Sequence, residues 1–363
     1  MRLLFLCPDM HRGGAERQWA TLIPALAHRG AEVRLVCLYD EGPLFAEVRA
    51  AGVPAECLGL RDFRGAGRAL GEARGRPDAV VTRTVSPQLV GQAIARRAGA
   101  AHVFNEHTPL TPAGELVEIR PRQKLLTRLV APQVDRVIAV SERQTAPLVR
   151  LGYRGDRIVT VPNGVFAADV ETRVDRASMR ATLGLDDGDF AVLCLANLRP
   201  EKGAGAFAEA VARGRAEGSP QLRGLIAGDG PERERLEQVV AGLDGIELLG
   251  SRGDVPDLIA ACDALALLSE AEALPMSILE AMALARPVVT SDVGGAAEAV
   301  AGGETGIVVP PGDTAAAALA ALAADPSRAR EMGERGQARQ RERFEGGAMV
   351  DGYWRALGEV ARR

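Results

Sequence analysis

The chain has 363 residues, of which 47% are hydrophobic and 25% charged, and its net charge is −4. That balance excludes a disordered or fibrous chain, and the length suits two domains rather than one core. No apolar run approaches the roughly 18 residues of a membrane-spanning helix, and the opening "MRLLFLCPDM" breaks too early at Pro8-Asp9 for a signal peptide. Charge is uneven: up to residue 166 there are 23 Lys+Arg against 16 Asp+Glu, and beyond it 21 against 32. A basic first half suits an anionic partner. Only two of the 44 basic residues are lysines, Lys124 and Lys202, so these mark places where a compact ammonium is wanted among arginines.

In chain order, "RLLFLCPD" reads as a strand, "GGAERQWATLIPALAHRG" as a loop and helix, and "EVRLVCLY" as a second strand. "AVVTRT", "AHVFNEH" and "RVIAVSE" follow as strands with helices between them. The second half repeats the scheme with "FAVLCLANL", "LRGLIAGDG", "IELLG", "DALALLS", "RPVVTSD" and "TGIVVPPGD". Continuous apolar strands joined by helices imply parallel sheets covered on both faces, and two such series imply two doubly wound α/β domains. The boundary falls in 164–188, where strand periodicity is lost. This assigns 1–168 to an N-terminal domain, 169–345 to a C-terminal one, and 346–363 to a last helix, carrying Tyr353 and Trp354, that packs back on the first. The five cysteines sit singly in apolar runs without metal-ligand spacing, which reads as reduced core thiols of a cytoplasmic protein.

The chemistry gathers in loops that follow strands, where ligands bind in this architecture. "EAEALPMSILEAMA" holds Glu272 just after a strand, and Glu280 is the one ionisable group of the apolar helix after Pro275. A carboxylate there must reach water, a partner or a ligand hydroxyl; Glu270 reads as an ordinary surface charge. "ANLRPEKG" places Arg199 and Lys202 on another such loop, where two cations suit a diphosphate. "AGDGPER" and "SDVGGAAE" are further glycine-bearing loops. "HRGGAER" sets Gly13-Gly14 at a helix N-terminus whose amides suit an anion. No G-x-G-x-x-G spacing occurs, which argues against a nicotinamide cofactor. "IRPRQKLLTRLV" combines Arg120, Arg122, Lys124 and Arg128 with Leu125, Leu126 and Leu129; it reads either as a basic amphipathic surface for anionic lipid or as a solvated helix face.

Taken in order, "GGAER", "VPNGV", "NLRPEKG", "GDGPE", "EALPMSILEAMA" and "DVGGAAE" resemble the retaining GT-B glycosyltransferases of the glycogen-synthase-like and mannosyltransferase group, the family-4 type. The resemblance covers most of the chain, and its Glu-x7-Glu segment is the most specific part. It implies two Rossmann-like domains facing a cleft, a nucleotide-diphosphate sugar held mainly by the second, and a hydroxyl acceptor held mainly by the first. It implies that Glu272 binds the transferred sugar and Glu280 the ribose. Arg199 and Lys202 hold the diphosphate, with help from the amides around Leu274, Pro275 and Gly14; Asn197, Gly228 and Met276 also bind the donor, and Ser251 and Arg252 lie near the base. His107 is set near the sugar and reactive centre, and Gly13, Glu106, Ser141 and Asn163 lie on the acceptor side. No cofactor, metal or nucleic acid is expected; the acceptor is a carbohydrate, a lipid-linked or a small-molecule hydroxyl, and location is cytoplasmic, peripheral on the inner face of the membrane.

The chain departs from the family pattern where Ala196-Asn197-Leu198 replaces Gly-Arg-Leu, which leaves Arg199 to take the missing arginine's role. Ala273 stands where glycine is common, and Phe166 where aspartate is frequent. Two other readings keep the fold, a sugar-nucleotide epimerase and a non-catalytic sugar-nucleotide-binding protein. A phosphorylase would need a pyridoxal-phosphate lysine, and only Lys124 and Lys202 are available.

Overall fold

A computed structural model describes residues 1–11, 13–60, 76–117, 121–312 and 315–361. The chain forms two compact units. Unit 1 comprises Met1–Pro109, Gly114–Asn163 and Gly347–Arg363; unit 2 comprises Leu110–Ala113 and Gly164–Gly346.

Unit 1 is built on seven parallel strands: β1 (Arg2–Cys7), β2 (Glu32–Cys37), β3 (Ala55–Cys57), β4 (Ala79–Thr82), β5 (Ala101–Glu106), β6 (Arg136–Ala139) and β7 (Ile158–Thr160), in the order β3-β2-β1-β4-β5-β6-β7. All four β4 residues, and all but the first residue of β1 and β5, are buried, as expected of strands covered by helices on both faces. The three-residue strands β3 and β7 are absent from the sequence reading, because segments this short carry no periodicity and exist only by pairing at the sheet edges. The last helix, Gly346–Ala361, closes unit 1: Tyr353 is fully buried, Gln18 Nε2 donates to its hydroxyl at 3.1 Å, and the Arg29 guanidinium lies 5.2 Å from the Trp354 ring centroid.

Unit 2 has six parallel strands: β8 (Phe190–Leu195), β9 (Leu222–Ala227), β10 (Ile246–Gly250), β11 (Ala264–Leu267), β12 (Val288–Ser291) and β13 (Gly306–Val309), in the order β10-β9-β8-β11-β12-β13. Its core joins Val192, Cys194, Ile226, Ala266 and Val289 of the sheet to Phe207, Val211 and Leu319 of the helices. Side-chain caps start two helices: Asp175 accepts from Ser178 N at 3.0 Å to open Arg176–Thr182, and Asp325 accepts from Arg328 N at 3.0 Å before Pro326. Among the described residues, no helix is long and apolar enough to cross a membrane.

The charged stretch that enters unit 2 is tied down from below. Asp257, buried on the helix Val255–Ala261, accepts from the backbone amides of Arg173 at 2.7 Å and Val174 at 3.0 Å. Arg176 and Arg180 both reach Asp263, at 2.6 and 3.2 Å. Asp257→Ala removes the shared acceptor of two part-buried amides; a hydrogen bond to a charged group is worth about 1.5–3 kcal/mol, less where water replaces the acceptor. Urea unfolding followed by a unit 2 probe is expected to show a loss of about 2–4 kcal/mol, with Asp257→Asn, which keeps one acceptor oxygen, in between.

Candidate functional site

In unit 2 the strand order reverses between β8 and β11, and the carboxyl edge of the sheet at such a reversal is where ligands bind in this architecture. Lys202 ends the loop after β8 and Glu272 stands on the loop after β11. The Lys202 Nζ donates to Glu272 Oε1 at 2.8 Å, and Ser269 Oγ donates to the same oxygen at 2.8 Å. Glu272 is 3% exposed. Both bonds fall on Oε1, so among the described residues Oε2 is the carboxylate's open acceptor.

The backbone around this pair is fixed from three sides. Leu110 and Glu272 exchange backbone hydrogen bonds of 2.9 and 3.2 Å as an isolated antiparallel bridge. Gly294, at φ 42°, lies so close that a Cβ would stand 1.7 Å from the Glu272 carbonyl oxygen. Gly203, at φ 67°, approaches the Leu268 carbonyl, where a Cβ would stand at 2.0 Å and push the two loops apart.

The remaining residues of unit 2 divide into exposed and engaged groups. Arg199 is exposed; among the described residues its guanidinium approaches Glu201 at 4.0 Å, and its amide bonds the Asn197 carbonyl at 2.8 Å. Pro275 is the residue before the helix Met276–Ala283 and has no N–H, so the amides offered at this helix end begin at Met276. The Leu274, Met276 and Glu280 side chains are buried beside it, and Glu270 is exposed. The Gly228 amide already donates to the Gly250 carbonyl at 2.8 Å, and its missing Cβ makes room for the Ala196 carbonyl; this glycine is a packing device. Ser251 is exposed, and Arg252 forks onto Asp254 at 2.9 and 2.6 Å, which holds the Asp254 carboxyl below its ordinary range.

In unit 1 the order reverses between β1 and β4. Arg83, directly after β4, is 2% exposed; it pairs with Glu16 at 2.7 Å, donates to the Asp9 carbonyl at 2.6 Å, and lies 5.1 Å from the Trp19 ring centroid. Thr84 follows at φ 62°, ψ 165°, a region that costs a non-glycine residue about 1–3 kcal/mol. The Glu16 carboxylate lies over Gly13, where a Cβ would meet it at 2.2 Å. The Gly13-Gly14 helix end, expected to present open amides to an anion, therefore faces the chain's own carboxylate, drawn there by Arg83 and the positive end of the helix.

His107 follows β5. Its Nε2 lies 2.9 Å from Asn105 Oδ1, which also accepts from Trp19 Nε1 at 2.7 Å. Burial, with the Arg83 charge adding to it, pushes the imidazole down to about 3, so the ring is neutral at pH 7. Glu106 is buried with its carboxylate turned onto the Thr108 amide, and burial raises its pKa. Ser141 and Asn163 are buried; the Ser141 amide donates to Gln144 Oε1 at 3.3 Å. The basic helix Pro121–Val130 exposes Leu125 (63%) and Leu129 (62%), with Leu126 beside them; Arg120 lies outside the described residues. Arg83, Asn105 and Trp19 are absent from the sequence reading. The one local signal was an arginine directly after an apolar strand in "VVTRT".

Comparison with known proteins gives two family models, Glycosyltransferase Family 4 over residues 12–168 and Glycosyl transferases group 1 over 189–325. The chain is 31% identical over 247 residues to N-acetyl-alpha-D-glucosaminyl L-malate synthase of Bacillus anthracis, a stretch covering 67% of this chain and 64% of that protein. It is 37% identical over 173 residues to alpha-D-kanosaminyltransferase of Streptomyces kanamyceticus, covering 46% and 44%. The matched stretches thus span less than two thirds of these relatives. The fold matches Anabaena Alr3699/HepE in complex with UDP and glucose at a TM-score of 0.89, with 24% identity over 99% of this chain and all of that one. It also matches sucrose-phosphate synthase of Thermosynechococcus elongatus at 0.81, with 20% identity and 99% of both chains covered. With one family model over the greater part of each parallel-sheet unit and this fold beneath them, the chain belongs to the GT-B glycosyltransferases.

Proposed function

We propose that the protein transfers a sugar from a nucleoside-diphosphate sugar to a hydroxyl acceptor, with retention at the anomeric carbon, in glycan, glycolipid or polysaccharide biosynthesis. The observation that carries this reading is the Lys202–Glu272 pair at the β8/β11 reversal of unit 2. A lysine ammonium has three N–H donors, and Glu272 takes one, leaving the others to diphosphate oxygens. Glu272 Oε2 accepts from hydroxyls of the sugar, Glu280 from the ribose, and exposed Arg199 swings onto the diphosphate in place of the arginine that Asn197 lacks. In unit 1, His107 accepts from a sugar hydroxyl.

In the proposed step the bond from the anomeric carbon to the diphosphate oxygen breaks, and the acceptor oxygen bonds to the same face. The acceptor's proton passes to the departing diphosphate, whose growing charge Lys202 and Arg199 stabilise. Two donors on Glu272 Oε1 lower its nucleophilicity, which favours this front-face course over a covalent intermediate on that carboxylate. The reaction draws its positive charge from side chains and takes the sugar nucleotide as substrate, with no cofactor.

The basic first half suits an acceptor carried on, or bearing, anionic groups; the Bacillus relative is named for L-malate, itself an anion. The helix Pro121–Val130, with exposed leucines between Arg122, Lys124 and Arg128 and no acidic residue, suits the surface of an anionic membrane.

Lys202→Ala is expected to lower kcat by about 10² to 10³, the loss typical of one donor to a developing oxyanion. The assay is transfer or hydrolysis with the best donor from a thermal-shift panel of sugar nucleotides, and unimpaired turnover in a folded variant would sink the assignment. Glu272→Gln should raise KM for the sugar nucleotide and weaken discrimination among sugars. Liposome co-sedimentation should be stronger with anionic than neutral lipid, and Leu125→Ser with Leu129→Ser should abolish the difference; equal binding to both lipids would remove the membrane from the picture.

A further inference from the structure

The hydrogen bonds around Asn105 settle which of its atoms is oxygen. Trp19 Nε1 is a donor only, so the atom 2.7 Å away must accept, and the Asn105 amide nitrogen correspondingly donates to the Ile138 carbonyl at 3.1 Å. His107 Nε2 stands 2.9 Å from that same accepting oxygen. It must therefore carry the ring's proton, and in the neutral imidazole the lone pair then lies on Nδ1. Trp19 is held by Arg83 over its ring and by an edge contact with Phe5, centroids 4.9 Å apart.

We propose that Asn105 is a positioning residue which, backed by Trp19 and Arg83, holds His107 as its Nε2–H tautomer, so that His107 meets its ligand as a neutral acceptor through Nδ1. This rests on the glycosyltransferase reading, in which the ligand group is a sugar hydroxyl donating its proton to Nδ1. The same array excludes His107 as the proton donor to a leaving group, since its one N–H faces Asn105.

The charges around the ring favour that state. Arg83, from the end of β4, acts on His107 directly, while Glu16, Asp9 and Cys7 act on Arg83. Glu106, one residue earlier on the same strand, keeps its carboxylate on the Thr108 amide. A cation on the neighbouring side chain and burial both oppose a second proton on the ring.

The test is histidine-selective ¹⁵N NMR of the full chain between pH 5 and 8, alongside the pH profile of transfer. The chain has four histidines, and buried His102, with Nδ1 2.6 Å from the Gln92 side-chain amide and Nε2 3.0 Å from Thr82 Oγ1, is a second buried ring for comparison. Wild-type His107, assigned by its loss in His107→Asn, is expected to be protonated on Nε2 alone and not to titrate in this range. In Asn105→Asp the carboxylate beside Nε2 stabilises the imidazolium, and the ring should titrate within the range. Protonation then removes the Nδ1 acceptor, and kcat/KM should fall toward about tenfold per pH unit below that point, a pH dependence that loss of structure alone does not create.

An Nδ1–H tautomer in the wild type, a wild-type ring titrating between pH 5 and 8, or a folded Asn105→Asp protein with an unchanged ring would each overturn the proposal. Should Asn105→Asp not fold, the wild-type spectrum decides. A protein with the expected spectrum but no transfer from any sugar nucleotide would retain the tautomer assignment and refute the enzymatic reading, so the two failures are distinct.

Discussion

Lys202 and Glu272 lie on loops seventy residues apart, and they meet because β8 and β11 are neighbours at the point where the order of strands reverses. Burying either charge alone is expensive, and removing one partner of such a pair typically costs about 3–5 kcal/mol. The pair therefore sets a condition on everything around it. Gly203 must lack a side chain so that the two loops can touch, Gly294 must lack one so that the Glu272 carbonyl can sit where it does, and Leu110 must pair with Glu272 along the backbone. Both donors fall on Glu272 Oε1, so the pair is held through one carboxylate oxygen.

Unit 1 places a second cation–carboxylate pair, Arg83–Glu16, at its own reversal between β1 and β4. The chemistry of the two cations separates the roles. A guanidinium presents donors in a plane and a face that stacks, so Arg83 can serve Glu16, the Asp9 carbonyl and the Trp19 ring at once and become a rigid internal strut. An ammonium is a point charge that directs its donors independently, which suits a group that holds one carboxylate and still answers a ligand. In a chain with 42 arginines and two lysines, a lysine at this position is consistent with that difference.

The architecture was legible because its physical cause is local. Strands buried on both faces must be continuously apolar, which made the inner strands of unit 2 legible; β10, an edge strand with no buried residue, was read from its short apolar run alone. In unit 1 the strands that escaped notice were β3 and β7, whose three residues owe their conformation to their neighbours rather than to their own pattern. Glu280 stood out as the only charge on an apolar helix, and Lys202 as one of two lysines. Arg83, Trp19 and Asn105 did not, since an arginine, a tryptophan and an asparagine in separate segments mean nothing until the sheet brings them into contact. The Gly13-Gly14 turn shows the same limit: the amide-rich end was visible in sequence, but not that Glu16 folds back over Gly13.

The two units also differ in how they hold these groups. In unit 2 the Glu272 carboxylate is in direct contact with an ammonium and a hydroxyl, both on one of its oxygens. In unit 1 the imidazole is kept neutral from a distance, by burial and by a guanidinium that does not touch it, while its one proton is committed to Asn105. The Glu272 carboxylate already holds two donors and the His107 imidazole has its one proton committed to Asn105, so neither is set up to exchange a proton. That division suits a reaction in which the departing diphosphate takes the proton, because protein groups then have to orient the sugar and stabilise charge rather than act as acid and base. The absence of a committed proton donor at His107 is thus a consequence of the fold around Trp19, and it bears on mechanism as directly as the presence of Lys202.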